Sequence, residues 1–216
     1  MISLVIFDCD GVLVDSEPIS CRVMAEALTA EGLPYTTEEI YRDFMGRAWA
    51  DSLAIIEERL GRPARDGFTE DFRAARDTAL AAEVTPVDGV KGAIAAVESA
   101  GIERCVASSG NHEKIRLTLG TTGLLPLFED AIFSATEVAR GKPAPDLFLH
   151  AARTMGYEPD FCAVVEDTPV GIAAARAAGM TALAYVDNAP REALEGAGAH
   201  ATFADMQDLA GLIALS

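Results

Sequence analysis

The chain has 216 residues, which is enough for one large domain or for a core with a smaller inserted domain. It carries 34 acidic and 17 basic residues, a formal charge of −17 at pH 7. Nucleic-acid grooves and anionic membrane surfaces both require a basic patch, so we expect neither nucleic acid nor a membrane as a partner. An anionic ligand would have to be bound locally, by a metal ion, a lysine and backbone N–H groups.

The cysteine pattern and the N-terminus bear on the compartment. The cysteines lie far apart and form no C-x-x-C pair, so neither a zinc site nor a disulfide framework is predicted. The apolar run Leu4–Phe7 is too short for a signal peptide, and no apolar segment approaches the length of a membrane span. We expect a protein of the reducing cytoplasm, as a monomer or a weak homodimer. The four cysteines are Cys9, Cys21, Cys105 and Cys162.

The first predicted elements are a strand and then a helical insertion. Ser3–Phe7 is a short apolar run that stops at an acidic residue, which is typical of a buried strand. Residues 16–85 show helical periodicity only, which predicts an inserted α-helical cap domain with joints at Asp15–Ser16 and Thr85–Pro86. The core would comprise residues 1–15 and 86–216. The predicted cap helices are one that carries Ile19 and ends before Gly32, then Glu38–Met45 with Thr37 as N-cap, Asp51–Leu60, and one from Thr69 towards Glu83.

Beyond residue 86, helical patterns alternate with short apolar runs. This alternation predicts a parallel sheet covered on both faces, and right-handed crossovers then give a doubly wound, Rossmann-like α/β core. Glycines follow the predicted helices and suit the left-handed position after a helix end. In chain order the predicted elements are helix Val90–Ala100, strand Arg104–Ala107, helix His112–Leu119, strand Ala131–Phe133, helix Leu147–Met155, strand Ala163–Val165, helix Ile172–Ala178 and strand Thr181–Tyr185.

Two acidic pairs follow predicted strands. Asp8 and Asp10 come after the first strand, and Glu166 and Asp167 come after Ala163–Val165. Ligands of open α/β sheets bind beyond the carboxyl ends of the strands, so these carboxylates are expected to meet there. Clustered carboxylates stay ionised only with a cation, and oxygen ligands without Cys or His favour Mg²⁺. Alternatively, the second pair caps the helix that follows it.

Two further motifs suit phosphate. Ser108 and Ser109 end a predicted strand and open a helix, where hydroxyls and free N–H groups form an anion site or, more simply, a helix cap. Lys142 lies between stiffening prolines in Gly141–Asp146, and a lysine is a compact charge suited to phosphate. The alternative for Lys142 is an exposed side chain in a turn.

The order of these motifs resembles the haloacid dehalogenase-like hydrolase superfamily, in particular its branch of helical-cap sugar-phosphate phosphatases and β-phosphoglucomutases. The resemblance covers essentially the whole chain. It implies an Mg²⁺-dependent phosphatase that hydrolyses a small phosphorylated metabolite, a sugar phosphate or sugar-acid phosphate, through an aspartyl-phosphate intermediate. The motifs that carry the resemblance are Asp8–Ser16, Ser108–Asn111, Gly141–Asp146 and Glu166–Thr168.

The resemblance also implies roles for individual residues. Asp8 would be the nucleophile, and Asp10 would act as acid and then as base. The metal ligands would be Asp8, Asp10, Glu166 and Asp167. The phosphate and substrate contacts would be Gly11, Ser108, Ser109 and Lys142 from the core, with Glu17, Arg47 and Trp49 from the cap.

Related activities of the superfamily require residues that differ from those of this chain. Dehalogenases of the superfamily lack an acid at the place of Asp10, and phosphonatases use a cap lysine, whereas Ser16–Glu83 contains no lysine. The β-phosphoglucomutases carry a histidine early in the first cap helix, which is absent from Ser16–Ser20. Hydrolysis is therefore favoured. A phosphomutase, or a regulatory binding protein that kept the fold without catalysis, remains the alternative.

Overall fold

A computed structural model describes residues 1–44, 47, 49–128, 130–187 and 189–214 of the chain. Its strands are β1 (Leu4–Phe7), β2 (Val14–Asp15), β3 (Thr85–Pro86), β4 (Glu103–Ser108), β5 (Ile132–Ser134), β6 (Cys162–Glu166), β7 (Thr181–Tyr185) and β8 (Ala201–Phe203). Its α-helices are α1 (Glu17–Ala30), α2 (Thr37–Phe44), α3 (Trp49–Leu60), α4 (Phe68–Glu83), α5 (Val90–Ser99), α6 (His112–Thr121), α7 (Asp146–Met155), α8 (Pro169–Ala177), α9 (Arg191–Gly196) and α10 (Leu209–Ala214).

The main sheet confirms the predicted α/β fold. Among the described residues it has six strands in the order β5-β4-β1-β6-β7-β8, and neighbouring strands run parallel. β1 lies in the middle, with Phe7 opposite Val106 of β4 on one side and Val165 of β6 on the other. The strand order reverses around β1, so the carboxyl ends of β1, β4 and β6 open onto one crevice.

Side chains of β1 explain why its sequence is a continuous apolar run. Val5 and Phe7 belong to one buried cluster, and Leu4 and Ile6 belong to a second cluster on the opposite face of the sheet. All four side chains are fully buried. Strands of a parallel sheet are covered on both faces, so apolar residues occupy both sets of alternating positions.

The segment between β2 and β3 forms the predicted helical cap. Its helices α1 to α4 bury a cluster of their own, which includes Leu28, Ile40, Ile56 and Phe72. The two chain crossings between cap and core pair as an antiparallel ribbon, with Val14 opposite Pro86 and Asp15 opposite Thr85. The joints expected at Asp15–Ser16 and Thr85–Pro86 fall on this ribbon, and the domain boundary itself stays a prediction.

Several predicted helix ends are corrected by the structure. Gly120 does not end α6, which continues to Thr121, and the left-handed residue is Gly123 with φ +72°. The N-cap of α2 is Thr36, one residue before the predicted Thr37. Its Oγ1 accepts from the Glu39 N–H at 3.2 Å, and its own N–H donates to Oε2 of Glu39 at 2.9 Å, so both orphan donors are satisfied.

Other predicted bounds differ or fall outside the structure's description. The helix predicted at Ile172 begins at Pro169, because Thr168 caps it by accepting from the Gly171 N–H. β8, α9 and α10 were not predicted. The predicted helix end at Met45 and Gly46 lies outside the described residues. None of the described helices combines the length and the apolar character that crossing a membrane requires.

Candidate active site

The turn after β1 brings the first acidic pair to the crevice. Asp8 continues the parallel pairing, with its N–H donating to the carbonyl of Val165 at 2.9 Å. Gly11 has φ +77°, and a Cβ on it would collide with Oδ2 of Asp167. Glycine is therefore required both for the turn and for the approach of the second acidic pair.

Lys142 joins the two acidic pairs. Its Nζ lies 2.7 Å from Oδ1 of Asp8 and 2.8 Å from Oε1 of Glu166, and it donates to the carbonyl of Ala107 at 3.3 Å. Burial alone would lower the pKa of Lys142, but the two carboxylates raise it above its ordinary value. The alternative of an exposed turn lysine is wrong, since the side chain is 1% exposed.

Burial and the charge of Lys142 act in opposite directions on the pKa of Asp8. Burial raises its pKa to about 7, the charge of Lys142 opposes this, and the charges of Glu166 and Asp10 add to it. Lys142 therefore favours the ionised carboxylate, but without a further cation it does not offset the burial of Asp8.

The two carboxylates of the second acidic pair, Glu166 and Asp167, differ in their hydrogen bonding. Oε2 of Glu166 accepts from the N–H and the hydroxyl of Thr168, each at 2.9 Å, while its Oε1 accepts from Lys142. Both carboxylate oxygens of Asp167 are buried without a hydrogen-bond partner among the described residues. Burial, followed by the charges of Glu17, Glu166 and Asp8, raises the pKa of Asp167 well above its usual range.

This cluster has the donor set of a divalent-cation site. One carboxylate oxygen each from Asp8, Glu166 and Asp167 lies within 4.8 Å of the others. Unpartnered buried carboxylate oxygens are costly unless a cation or a hydrogen-bond donor completes them. Hard oxygen donors of this kind fit Mg²⁺. The residues present therefore fit the expected metal. Asp167 would gain most from the metal, because neither of its carboxylate oxygens has another partner among the described residues.

Asp10 takes a different partner. Its Oδ1 lies 2.7 Å from Nζ of Lys114, on α6, and accepts a hydrogen bond from the hydroxyl of Ser16. Burial pushes the pKa of Asp10 upward, but Lys114, the Ser16 hydrogen bond and the charge of Arg76 hold it below its ordinary value. The carboxylate of Asp10 lies outside the cluster formed by Asp8, Glu166 and Asp167, so its role as a metal ligand stays a prediction.

The serine motif forms the start of α6. Ser108 is buried and its Oγ accepts from the Gly110 N–H at 3.1 Å, while Asn111 caps the helix by accepting from the Lys114 N–H at 3.0 Å. The carbonyl of Gly110 is held in turn by the hydroxyl of Ser134 at 2.7 Å. The N-terminus of α6 thus opens at the crevice, where its dipole favours an anion.

A cavity of about 400 Å³ lies between these motifs and the cap. Most of the predicted site residues line it, whereas Gly11 and Asp167 are not part of its lining. Sequence reasoning missed three cations of its lining. From the predicted set the lining includes Asp8, Asp10, Glu17, Arg47, Trp49, Ser108, Ser109, Lys142 and Glu166, and the missed cations are Arg73, Arg76 and Lys114.

Comparison with known proteins identifies the family. The family model of haloacid dehalogenase-like hydrolases matches residues 2–179. The chain belongs to this family. It is 30% identical over 180 residues to the 6-phosphogluconate phosphatase of Escherichia coli, covering 83% of this chain and 80% of that protein. It is 34% identical over 184 residues to a fructose-1-phosphate phosphatase of the same bacterium, covering 82% and 93%.

A solved structure extends the likeness over the whole chain. A haloacid dehalogenase-like protein of unknown function from Agrobacterium tumefaciens superposes with a TM-score of 0.83 at 36% identity, covering 100% of this chain and 99% of that one. The predicted family is therefore confirmed. So is the prediction that the protein is a phosphoric monoester hydrolase.

The cap of this haloacid dehalogenase-like hydrolase contributes an aromatic wall. The ring of Trp49 stacks on Phe72 at 4.9 Å between centroids, and its Nε1 donates to the hydroxyl of Thr69 at 3.2 Å. Trp49 thus packs within the cap and also borders the cavity, and its contact with a substrate stays a prediction. Nε of Arg47 donates to the carbonyl of Asp43 at 2.9 Å, at the end of α2, and its side chain is exposed at the cavity edge.

Glu17 is a buried acid of the cap. It is 4% exposed, and its Oε2 has no hydrogen-bond partner among the described residues. Burial, then the charges of Asp10 and Asp8, raises its pKa to about 8, although Lys114 opposes the shift. A side chain of this kind at the cavity wall is available to a ligand hydroxyl.

The missed cations carried little signal in the sequence. Lys114 lies on α6, just after the Ser108–Asn111 motif, and Arg73 and Arg76 lie on α4, where charged residues of a surface helix are common. Only the tertiary structure brings these three side chains to the lining of one cavity. The one hint is scarcity, because the chain has just three lysines and Lys114 is one of them.

Proposed function

We propose that the protein is an Mg²⁺-dependent phosphatase that hydrolyses a small sugar phosphate or sugar-acid phosphate through an aspartyl phosphate on Asp8. The observation that carries this proposal is the contact of Lys142 with both Asp8 and Glu166, beside the carboxylate of Asp167, which has no hydrogen-bond partner among the residues described. This group lies at the strand ends, under a cavity of about 400 Å³ that suits a small metabolite. The names of the phosphatase relatives support the substrate class.

In the first half of the reaction, a carboxylate oxygen of Asp8 attacks the phosphorus atom in line with the ester bond. The ester P–O bond breaks, and the leaving alkoxide takes a proton from Asp10. Lys142, Ser108 and the N–H groups at the start of α6 hold the phosphoryl oxygens. An anionic phosphate next to Asp10 favours the protonated form of that carboxyl, which offsets the opposite influence of Lys114.

In the second half, water attacks the phosphorus of the aspartyl phosphate. Asp10 takes the proton of that water, the Asp8 O–P bond breaks, and inorganic phosphate leaves. Lys114 and Ser16 hold Asp10 ionised in the free enzyme, which suits this base step. The two halves together consume one water and return both aspartates to their starting state.

The metal would be held by Asp8, Glu166 and Asp167, with Asp10 as the further predicted ligand. When bound, Mg²⁺ neutralises negative charge on the carboxylates and on the phosphoryl oxygens. Two features support such a cation: the oxygens of Asp167, which no described residue satisfies, and the raised pKa of Asp8.

The cap, the cellular compartment and the oligomeric state complete the proposed function. We propose residues 16–85 as a cap that moves on the ribbon of β2 and β3 to exclude water from the cavity. A reducing cytoplasm suits the four cysteines, which are all free and buried. Monomer or weak homodimer is the proposed state.

Phosphate release from a panel of phosphorylated sugars and from p-nitrophenyl phosphate tests the function. We expect steady release with Mg²⁺, loss of release with EDTA, and no measurable release by Asp8→Asn. Asp160→Asn, an exposed acid in the turn before β6, is the matched control and keeps full activity. Isomerisation of a hexose phosphate without net release would instead identify a phosphomutase, and tight ligand binding without any turnover would identify a regulatory protein.

A further inference from the structure

The cap wall of the cavity is cationic, although the whole chain carries a formal charge of −17. Arg73 and Arg76, both on α4, line the same cavity as the two catalytic-site aspartates. Those aspartates already have cations from the core, since Lys142 contacts Asp8 and Lys114 contacts Asp10. The arginines therefore exceed what the aspartates need, and a second anion from outside would complete the cap wall.

The guanidinium of Arg73 is positioned to bind such an anion. Its guanidinium carbon lies 6.0 Å from the ring centroid of Trp49, and it forms no ion pair with a carboxylate among the residues that the structure describes. Trp49 is itself fixed by Thr69 and Phe72. A guanidinium over an aromatic face keeps its N–H edge free for a carboxylate or a phosphate.

Arg76 acts across the cavity. Its Nη2 lies 2.7 Å from Oδ1 of Asp77, the next residue in the chain, and its side chain is 13% exposed. The guanidinium lies over the ring of Phe72, with 5.6 Å between Cζ and the ring centroid. Its charge still reaches the core, because it helps to lower the pKa of Asp10. Arg76 can therefore support an anion held by Arg73 without being free of a partner itself.

Helix α1 presents polar atoms that can bind the hydroxyl groups of a polyol. Oε2 of Glu17 and Oγ of Ser20 are buried and have no hydrogen-bond partner in the described part of the chain, and both residues line the cavity. Buried polar atoms in a cavity wall without partners are satisfied by ligand groups or by water. Hydroxyl groups of a sugar chain can both donate to and accept from such oxygens.

We propose that the cavity selects a phosphorylated polyhydroxy compound whose far end carries a second anionic group, which Arg73 binds and the charge of Arg76 supports. The phosphoryl group lies at Asp8, the hydroxyl groups meet Glu17 and Ser20, and the second anion is a carboxylate or a second phosphate. This inference rests on the proposed phosphatase function and adds to it the chemistry that distinguishes one ester from another. Compounds that match in length but end in a neutral group are hydrolysed less efficiently.

Matched substrate pairs test the selection. Gluconate 6-phosphate and glucitol 6-phosphate share one open hydroxylated chain and differ only in a carboxylate against a hydroxymethyl group. Fructose 1,6-bisphosphate and fructose 6-phosphate form the pair for a second phosphate. We expect wild-type kcat/KM to favour the anionic member of at least one pair by about tenfold or more, and the pair with the larger ratio identifies the anion.

Variants locate the selection on the cap. Arg73→Gln lowers kcat/KM for the preferred anionic substrate about 10- to 100-fold and for its neutral partner less than about threefold, because only the former loses a charge-assisted hydrogen bond. Arg76→Gln acts in the same direction, and Arg73→Lys recovers part of the loss. The matched control is Arg42→Gln, since Arg42 also pairs with the next residue, Asp43, but lies on the exposed surface of α2. Thermal unfolding checks that each variant is folded.

Binding separates the inference from the function on which it rests. In calorimetric titrations of Asp8→Asn, the preferred anionic compound binds more tightly than its neutral partner, and Arg73→Gln in that background removes the difference. Equal wild-type kcat/KM within both pairs, or equal losses for both members in Arg73→Gln, would overturn the anion site. Failure to release phosphate from every ester, with the binding difference preserved, refutes the phosphatase and leaves the anion site supported.

Discussion

Nζ of Lys114 lies 2.7 Å from Oδ1 of Asp10, and the hydroxyl of Ser16 donates to the same oxygen. This arrangement holds the pKa of the second aspartate below its ordinary value despite its burial. Lys114 comes from α6 in the core and Ser16 from the joint with the cap. The proton affinity of Asp10 therefore depends on a core helix and on the position of the cap together.

Replacing Lys114 tests this control of Asp10. In Lys114→Met the pKa of Asp10 rises, so the acidic limb of the kcat–pH profile moves to higher pH, because a base is inactive below its pKa. We expect kcat at pH 6 to fall about 10- to 100-fold, less than complete loss of an acid–base group would cost, because Lys114→Met perturbs Asp10 without removing it. The measurement is kcat from pH 4 to 9 with saturating substrate and Mg²⁺.

The control for Lys114 is the exposed lysine of α5. Lys91→Met removes the same charge far from the cavity lining and leaves the profile unchanged. An acidic limb that stays in place in Lys114→Met, with kcat merely reduced, would contradict the proposed influence of Lys114 on Asp10.

Asp167 should couple the metal to stability. Its carboxylate is buried without a hydrogen-bond partner in the described part of the chain, and its pKa is raised by burial and by neighbouring acids. Asp167→Asn therefore relieves repulsion in the metal-free protein. We expect metal-free Asp167→Asn to be at least as stable as metal-free wild type. Mg²⁺ at 100 times its dissociation constant should raise wild-type stability by about 2.7 kcal/mol and that of the variant much less.

Thermal unfolding with EDTA and across a Mg²⁺ titration measures both effects. Asp160→Asn responds to Mg²⁺ as the wild type does, because Asp160 is exposed in the turn before β6. An Mg²⁺-dependent rise in Tm that is the same in Asp167→Asn and wild type would remove Asp167 from the metal site.

Glu17 should make the protein less stable as pH rises. Burial, with Asp10 and Asp8, raises its pKa from 4.5 to about 8 in the folded chain. Between these values the folded state binds more protons than the unfolded state, so the free energy of unfolding falls as pH increases. For one such proton the slope is at most about 1.4 kcal/mol per pH unit, and the stabilisation is fully present only below pH 4.5.

Glu17→Gln removes this proton, so its unfolding free energy in urea with EDTA falls less between pH 5 and 8 than that of wild type. Glu26→Gln serves as control on the same helix, since Glu26 is 66% exposed and pairs only with Arg22 at 3.8 Å among the described residues. If wild type and Glu17→Gln show parallel stability profiles, Glu17 is not the titrating group.

Gly11 and Gly32 separate backbone strain from a clash. Both have positive φ, +77° and +85°, but a Cβ at Gly11 meets Asp167 whereas a Cβ at Gly32 meets no described atom within 4 Å. Gly32→Ala should cost about 1 kcal/mol for the left-handed backbone. Gly11→Ala should cost about 2 kcal/mol more and impair Mg²⁺ binding, because the new methyl group displaces a buried carboxylate.

Urea unfolding of both variants, with and without Mg²⁺, measures the difference. Equal losses of stability in Gly11→Ala and Gly32→Ala, with Mg²⁺ binding intact, would show that the close approach of Asp167 to Gly11 has no energetic consequence.

The sheet was predictable because its strands are buried on both faces. Thr181–Tyr185 has the same bounds in the prediction and in β7, since a continuous apolar run between a helix-ending glycine and polar residues admits few alternatives. β8, at Ala201–Phe203, escaped prediction because it is a short edge strand whose Ala201 and Thr202 are only half buried. The strand is stabilised by its pairing with β7, which the sequence of β8 alone does not predict.

The sequence determined which chemical groups stand at the strand ends: two acidic pairs, a serine motif and a lysine between prolines. Local sequence suffices for this, because an apolar run, its end and the turn that follows lie within a few residues of each other. Only the tertiary structure decided the partners of each carboxylate. Lys142 reaches Asp8 from 134 residues away, Lys114 contacts Asp10, and Asp167 is left without a hydrogen-bond partner among the described residues. Proton affinity and metal demand follow from burial and from neighbouring charges, and both are set by segments that meet only when cap and core fold together.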